Sequence, residues 1–310
     1  MSARRPALFV PAMLLNVFIA AGTFLITKTT LREFPPLVLA LVRFVLATAL
    51  MWPLARLRSP RRRLDRADRG RILLLGVLAI PLNQGLFLYG MRWASATHAA
   101  LLYALTPTFI ILIAAAAGTR PTWRQLLGVA LAFAGVFTLL LQRGLHFDPH
   151  SLRGDLLILA AVVAWALYLY LGRGPTRRYG PLLATSESLI AGTLVFLPIG
   201  LVAAWGFDFR AVSLAGWSGV FYLAWLTSGI NYLIFFWGIE HVGPAAVAVW
   251  SNLQPPATAV LAWTWFREAL PPGFLLSAAL VLTGVWIAQR AEPRPPDGPG
   301  TAGGAESHRR

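Results

Sequence analysis

The chain has 310 residues, of which 57% are apolar and only 13% charged, and its mean hydropathy is +0.64. Soluble proteins carry about 25% charged residues, so this composition indicates the lipid bilayer as the main solvent. Cysteine is absent, which excludes disulfides, thiolate metal sites and cysteine nucleophiles. The formal net charge of +15 does not indicate nucleic acid as a partner, because the arginines lie in short loops between apolar stretches.

Ten apolar stretches follow one another along the chain, and we number them segments 1 to 10. A helix needs roughly 20 apolar residues to cross a hydrocarbon core of ~30 Å. The stretches are residues 8–27, 36–55, 72–91, 97–117, 123–142, 155–172, 181–204, 214–237, 244–266 and 273–290. They predict an all-α polytopic membrane protein with ten transmembrane helices. The Pro- and Gly-rich tail, residues 291–310, is predicted to be disordered.

The basic residues predict the orientation of the segments. If the N-terminus is cytoplasmic, 19 of the 27 Lys and Arg residues fall on the cytoplasmic side and 7 on the other, with Arg43 inside segment 2. Cytoplasmic loops are enriched in Lys and Arg, so we expect both termini in the cytoplasm. Segment ends predicted to face the cytoplasm are called inner, and the opposite ends outer.

An internal repeat divides the chain into two halves of five segments. Two proline pairs recur at an offset of 145 residues, and an Asn, a Gly and a Pro recur at an offset of 148: Pro36 and Pro181, Pro53 and Pro198, Asn83 and Asn231, Gly90 and Gly238, Pro107 and Pro255. Because five is odd, the second half must cross the membrane in the opposite sense. The sequence therefore predicts a first repeat over 1–142, an outer loop over 143–154 and an inverted second repeat over 155–290.

Several fragments of the chain resemble a known superfamily. They include "PPLVLALVRFVLA" (35–47), "ATHAALLYALTPTFIILIAA" (96–115) and "PAAVAVWSNLQPPATAVLAW" (244–263). In this order and repetition they resemble the drug/metabolite transporter superfamily, in particular its EamA-type ten-helix members. The resemblance implies a carrier, usually an exporter, whose central path is surrounded by segments 3, 4, 8 and 9 with contributions from 1 and 6. A tryptophan that is usual in segment 1 is Ala21 here, whereas Trp165 is present in segment 6.

Two charged residues lie inside apolar segments. A charge at the centre of a membrane helix costs roughly 2.5–3.5 kcal/mol, so each needs a reason. Arg43 in segment 2 is either a structural residue or a contact for an anionic substrate. Glu187 in segment 7 either lines a wet cavity, where it carries a proton or meets a substrate ammonium group, or is a protonated packing carboxyl. Arg43 lies roughly 10 Å below the outer face of the membrane and Glu187 roughly 10 Å below the inner face. These depths leave open whether the two side chains form an ion pair.

Uncharged polar and aromatic residues cluster in the segments that would surround the path. Together with Glu187, the predicted cavity residues are Asn83, Tyr89, Tyr103, Trp165, Tyr168, Asn231, Trp250, Asn252 and Gln254. Each of them could instead join neighbouring helices by hydrogen bonds. Pro107 and Pro255 interrupt their segments and are predicted hinges, because proline removes a backbone hydrogen bond.

The sequence therefore predicts a secondary active transporter that moves a small organic solute by alternating access. An amino acid or related metabolite is the leading substrate class and a drug the next, with protons as a candidate coupling ion. We expect no metal or cofactor, because the five histidines form no paired ligand motif and no Gly-rich phosphate loop is present. The predicted location is the bacterial inner membrane, and small residues on segment faces are compatible with a homodimer. The alternatives are a membrane-embedded lipid-handling enzyme and a non-transporting receptor or assembly subunit.

Overall fold

The computed structural model describes residues 8–58, 64–141, 149–242, 247, 250–267 and 273–290. These residues form helices joined by short turns, and no strand occurs among them. The all-α prediction is confirmed. The predicted tail at 291–310 and residues 143–148 of the predicted outer loop lie outside the described residues.

The helices follow the predicted segments closely, with segments 3, 4, 8 and 9 divided into shorter elements. In the first half they are Phe9–Thr30, Pro36–Arg58, Arg69–Val77, Gly85–Gly90, Ala96–Tyr103, Thr106–Ala116 and Trp123–Leu141. In the second half they are Pro149–Tyr179, Pro181–Ala204, Leu214–Phe221, Asn231–Val242, Gln254–Phe266 and Phe274–Arg290. Leu78–Gln84 and Tyr222–Ile230 are π-helical, and Arg66–Asp68 is a 3₁₀ turn. The helix of segment 6 starts at Pro149, ahead of the boundary predicted at 155.

Seven helical stretches of the described chain are long and apolar enough to cross a membrane. They are Phe9–Thr30, Pro36–Arg58, Arg66–Gly90, Ala96–Ala116, Leu152–Tyr179, Pro181–Ala204 and Leu214–Phe235. Segments 5 and 10 supply shorter apolar helices, Trp123–Thr138 and Phe274–Arg290. Part of segment 9 lies outside the described residues, so the count of ten spans stays a prediction.

Local sequence signals explain where the helices start and end. Pro36 and Pro181 open their helices, where a fixed φ helps and the missing N–H has no helical partner. Ser95 and Ser213 cap helix N-termini by accepting hydrogen bonds from the backbone N–H groups of His98 and Gly216. Within hydrocarbon every backbone polar group needs an internal partner, which makes helix the default between these signals.

Contacts between the halves follow the repeat. The hydroxyls of Thr48 and Thr193, which lie 145 positions apart, are 3.0 Å from each other. Segments 5 and 10 pack along their lengths. At one of their contacts a β-carbon added to Gly128 would sit 2.5 Å from the carbonyl oxygen of Gly284, and at the other a β-carbon added to Gly135 would sit 2.8 Å from that of Ser277. Equivalent residues thus meet across a shared axis, as an inverted repeat requires.

The irregular parts of the helices also recur. The π-helical stretches occur in segments 3 and 8, which are repeat counterparts. Segments 4 and 9 are interrupted at residues 104–105 and 252–253, and the helices resume at Thr106 and Gln254. Pro107 and Pro255 therefore lie at the second position of a new helix, where the missing N–H removes no helical hydrogen bond. The break itself occurs just before each proline.

Candidate functional site

A chain of hydrogen bonds joins five segments at the centre of the bundle. Arg43 donates from Nη1 to Gln84 Oε1 at 2.9 Å and from Nη2 to Ser228 Oγ at 3.3 Å. Gln84 donates to Asn83 Oδ1 at 2.7 Å. Asn83 in turn donates to the hydroxyl of Tyr103 and to the carbonyl oxygen of Ala161, both at 2.8 Å. The network brings together segments 2, 3, 4, 6 and 8.

Asn83 and Asn231, which are repeat counterparts, each contact an equivalent position in the opposite half. Asn83 in segment 3 binds the backbone of Ala161 in segment 6. Asn231 in segment 8 accepts from Asn16 Nδ2 in segment 1, with Oδ1 at 2.7 Å and the carbonyl oxygen at 3.1 Å. Asn16 and Ala161 are repeat counterparts at the offset of 145. Both asparagines thus join a segment to the first segment of the opposite half.

Aromatic rings surround the network, and part of it borders internal space. Tyr103 packs edge-to-face against Phe24 and Phe87, with ring centroids 5.7 and 5.5 Å away. Trp165 and Tyr168 stack on each other at 4.9 Å in segment 6. The side chains of Arg43 and Asn83 are buried, whereas Tyr103 and Gln84 remain partly exposed although their contacts face the bundle interior. Exposure at this depth indicates space between the segments.

Asn252 and Trp250 contact other parts of the bundle, and no hydrogen bond joins Gln254 or Tyr89 to this network in the part of the chain that the structure describes. Asn252 donates to Gln289 of segment 10 at 3.1 Å, and Trp250 belongs to an aromatic cluster at the inner end. Gln254 is half-buried at the start of its helix, and Tyr89 is half-buried near the outer end of segment 3. The ten predicted residues therefore occupy several separate environments.

Glu187 does not pair with Arg43, although the sequence left that pair open. Its carboxylate accepts a hydrogen bond from Arg56 Nη2 at 2.8 Å, near the inner ends of segments 7 and 2. It also borders a groove of about 540 Å³ between segments 3 and 7, lined by Arg69, Ile72 and Leu194 among others. The repeat counterparts of this ion pair are Val42 and Leu201, so it occurs in one half only. Glu187 therefore lies outside the central network.

At the outer end of the bundle small residues pack together beside a buried His–Asp pair that the sequence did not reveal. Gly90 of segment 3 packs on Gly154 of segment 6, where a β-carbon on Gly90 would sit 2.8 Å from the Gly154 carbonyl oxygen. His98 Nδ1 lies 3.5 Å from Asp155 Oδ2, and both side chains are nearly inaccessible. Lys28 donates to the carbonyl oxygen of Ala94 at 3.1 Å. The sequence signal that could have revealed this pair is Asp155, an acidic residue at the first position of segment 6.

Aromatic rings pack together at the inner end. Phe9 is fully buried and lies 6.5 Å from the Trp237 ring and 6.4 Å from the Trp250 ring. Met13 and Val247 complete this cluster. A β-carbon on the neighbouring Gly238 would sit 3.2 Å from Met13 Sδ. Segments 8, 1 and 9 therefore meet here, as segments 3, 6 and 4 meet at the outer end.

The helical bundle, its internal repeat and the polar network at its centre define a polytopic membrane protein of the transporter class. The chain matches the EamA-like transporter family over residues 8–141 and 152–289. It belongs to that family, which confirms the resemblance found in the sequence. Because the family is one of transporters, the prediction that the protein is not an enzyme is also confirmed.

Similar proteins carry the same class of name. "Uncharacterized transporter YyaM" of Bacillus subtilis is 27% identical over 281 residues, covering 89% of this chain and 92% of the relative. "Probable terminal-alkyne amino-acid exporter" of Streptantibioticus cattleyicolor is 28% identical, covering 90% and 92%. A solved structure titled "Crystal structure of protein" matches with a TM-score of 0.62 at 19% identity, covering 90% of this chain and 96% of that one. That last similarity supports the fold alone.

Proposed function

We propose that the protein is a secondary active transporter that carries a small organic solute across the bacterial inner membrane by alternating access. The observation that carries this proposal is the pair of equivalent closures at opposite ends of the bundle. Gly90 packs on Gly154 and Ile158 at the outer end, and its counterpart Gly238 packs beside Phe9 and Met13 at the inner end. Two similar halves that each adopt two packings produce outward-open and inward-open states of comparable energy.

The interrupted segments supply the bending that this cycle needs. Segments 4 and 9 break before Pro107 and Pro255, and segments 3 and 8 contain π-helical stretches. A π-helical turn and a break in the backbone ladder both allow a helix to bend without losing further hydrogen bonds. We assign the hinge role to these four positions, with the central network between them as the substrate site.

An amino acid or related metabolite is the substrate class that we propose, with export as the direction. The network presents amide, hydroxyl and guanidinium groups beside aromatic rings, which suits a small polar solute with an apolar portion. One relative carries the name of an amino-acid exporter, which supports the same class. We propose that both termini lie in the cytoplasm, because Lys and Arg are concentrated in the loops on that side. The homodimer stays a prediction from the small residues on segment faces.

Transport of labelled amino acids and metabolites into proteoliposomes tests the proposal. We expect uptake that unlabelled solute competes away and that a pH gradient across the membrane increases. Counterflow that ignores the gradient would retain the carrier and remove proton coupling. Folded protein that moves none of these solutes, but exchanges or modifies lipids, would favour the lipid-handling enzyme. Protein that moves nothing and modifies nothing would favour the receptor or assembly subunit.

Glu187 is our candidate for coupling transport to protons. The side chain of its partner Arg56 is 38% exposed and that of Glu187 is 15% exposed, so water reaches the pair through the Arg56 side. We predict that Glu187→Gln abolishes the part of uptake driven by the pH gradient and leaves counterflow intact. Stability should change little, because a partly exposed ion pair contributes about 0–1 kcal/mol. Arg56→Gln is the matched control, since it breaks the same pair but retains the carboxyl. Gradient-driven uptake that survives Glu187→Gln would make Glu187 a packing residue.

A further inference from the structure

Arg43 is a buried cation whose partners are all neutral. Only 4% of the residue is exposed, and its guanidinium donates to the Gln84 amide and the Ser228 hydroxyl. Its Nε is buried without a hydrogen-bond partner, and it lies over the Phe44 ring at 5.0 Å. In the described chain no carboxylate forms an ion pair with it. Buried charges are normally paired, so this site favours an anion from outside the chain.

The amide oxygens beside Arg43 already accept hydrogen bonds from neighbouring side chains. Gln84 Oε1 already accepts from Arg43, and Asn83 Oδ1 accepts from Gln84. The Tyr103 hydroxyl accepts from Asn83, and the residue is partly exposed. Groups that still have donor capacity are the guanidinium, this hydroxyl and the second N–H of the Gln84 amide. A carboxylate accepts from each of these groups, and an ammonium from none of them.

The two halves differ at this position. The repeat counterpart of Arg43 is Ser188, whose hydroxyl donates to the carbonyl oxygen of Ala184 at 2.7 Å within its own helix. At this pair of equivalent positions the described residues therefore supply one cation, Arg43, and one hydroxyl, Ser188. A single cation suits one anionic group on the solute and fixes the direction in which that solute lies.

From these observations we infer that Arg43 and Tyr103 bind the carboxylate of the transported solute, with Gln84, Asn83 and Ser228 positioning the guanidinium. This inference rests on the proposed carrier function and names the chemical group by which the solute is recognised. Arg43 forms charge-assisted hydrogen bonds to that carboxylate, and Tyr103 donates one more. Solutes whose carboxyl is amidated or removed leave the buried charge without a partner and are rejected.

Binding to purified protein in detergent tests the inference without requiring transport. The probes are the proteinogenic L-amino acids, their carboxamides and the corresponding decarboxylated amines, measured by thermal stabilisation and calorimetry. We expect binding only from the carboxylates, and about 10–100-fold weaker binding in Arg43→Gln, because charged hydrogen bonds are lost. Ser188→Ala, at the counterpart position, is the matched control and should bind as the parent protein does. If Arg43→Gln does not fold, Tyr103→Phe retains the ring packing and should weaken carboxylate binding several-fold.

The outcomes separate this inference from the proposed function. Amides or amines that bind as well as carboxylates would overturn the carboxylate site and leave a carrier in place. The carboxylate site would also be overturned if a folded Arg43→Gln variant bound carboxylates as the parent protein does. If Arg43→Gln does not fold, unchanged binding in Tyr103→Phe has the same meaning. A parent protein that binds no carboxylate would overturn the site as well. Binding that depends on Arg43, from protein that moves no solute in liposomes, would support the carboxylate site and overturn the carrier.

Discussion

The outer and inner ends of the bundle occupy equivalent places in the repeat but are closed by different chemistry. At the outer end two glycines, Gly90 and Gly154, bring the backbones of segments 3 and 6 together. At the inner end Gly238 is retained, but the counterpart of Gly154 is Phe9, a fully buried ring. Segments therefore cross at equivalent places in the two halves, while the side chains that make contact at each crossing differ.

The tethers beside these ends differ in the same way. At the outer end Glu33 accepts from the backbone N–H and the hydroxyl of Ser213, both at 2.7 Å. The counterparts of Glu33 and Ser213 at the inner end are Arg178 and Asp65, and these form an ion pair that also includes Asp68. The outer tether is therefore a hydrogen bond between a carboxylate and a serine, and its inner counterpart is an ion pair between an arginine and two aspartates.

Gly90→Leu should have the largest effect, because it attacks the closure made of backbone contacts. A β-carbon there would sit 2.7 Å from Ile158 Cγ1 and 2.8 Å from the Gly154 carbonyl oxygen, and backbone cannot move aside as a side chain can. We expect transport to be abolished and the outer end held open. Reactive cysteines introduced at the outer end report this state, since the chain has no cysteine of its own. Gly70→Leu, at an exposed position where an added β-carbon has no neighbour within 4 Å, is the control.

Phe9→Ala removes the central ring of the inner closure. The ring contacts Trp237 and Trp250 and has no exposed surface, so its loss leaves a cavity where the three segments meet. We expect transport to fall about tenfold, with greater labelling of inner-end cysteines, because the inner-closed state loses packing energy. Exposed Phe18→Ala on the same helix is the comparison that should change neither quantity. Equal labelling in both variants would contradict the assignment of Phe9 to the inner closure.

Asp155→Asn tests the polar part of the outer closure. Asparagine retains the shape of the side chain but weakens the contact with His98, which costs about 0.5–1.5 kcal/mol, or roughly 2–10-fold in the outer-closed population. Outer-end labelling should rise and inner-end labelling should stay constant. Asp208→Asn in an exposed outer turn serves as the control. A variant that labels like the parent protein would show that His98 and Asp155 do not hold the outer end closed.

The smallest predicted effect concerns the outer tether and appears only in acid. Hydrogen bonds from the Ser213 side chain and backbone hold the pKa of Glu33 below its usual range. A lowered pKa in the folded state stabilises the fold above the pKa of the unfolded chain, and this stability is lost as pH falls through the folded value. Ser213→Ala should therefore bring the acid loss of thermal stability to a higher pH. Glu33→Gln, which cannot titrate, should remove that part of the acid dependence, and identical acid profiles for all three proteins would contradict the tether.

Much of the fold could be predicted from the sequence, because its signals are local. The length of the apolar stretches and the prolines that open them predicted the helices, and the offsets of 145 and 148 residues predicted the repeat. The contact between Thr48 and Thr193 follows the first offset. Partners of the charged side chains could not be predicted, because they depend on how each helix is rotated about its axis. Arg43 binds Gln84 and Ser228, and Glu187 binds Arg56, whereas depth along the helices had left a direct pair between Arg43 and Glu187 open.

The central claim, that the two ends open alternately, is tested most directly by distances between spin labels in the cysteine-free chain. One pair replaces the exposed Arg92 and Arg153 at the outer end, and a second replaces the exposed Leu8 and His241 at the inner end. Our account predicts that solute changes the two distances in opposite directions in liposomes. Distances that stay fixed at both ends, or that lengthen together, would contradict it.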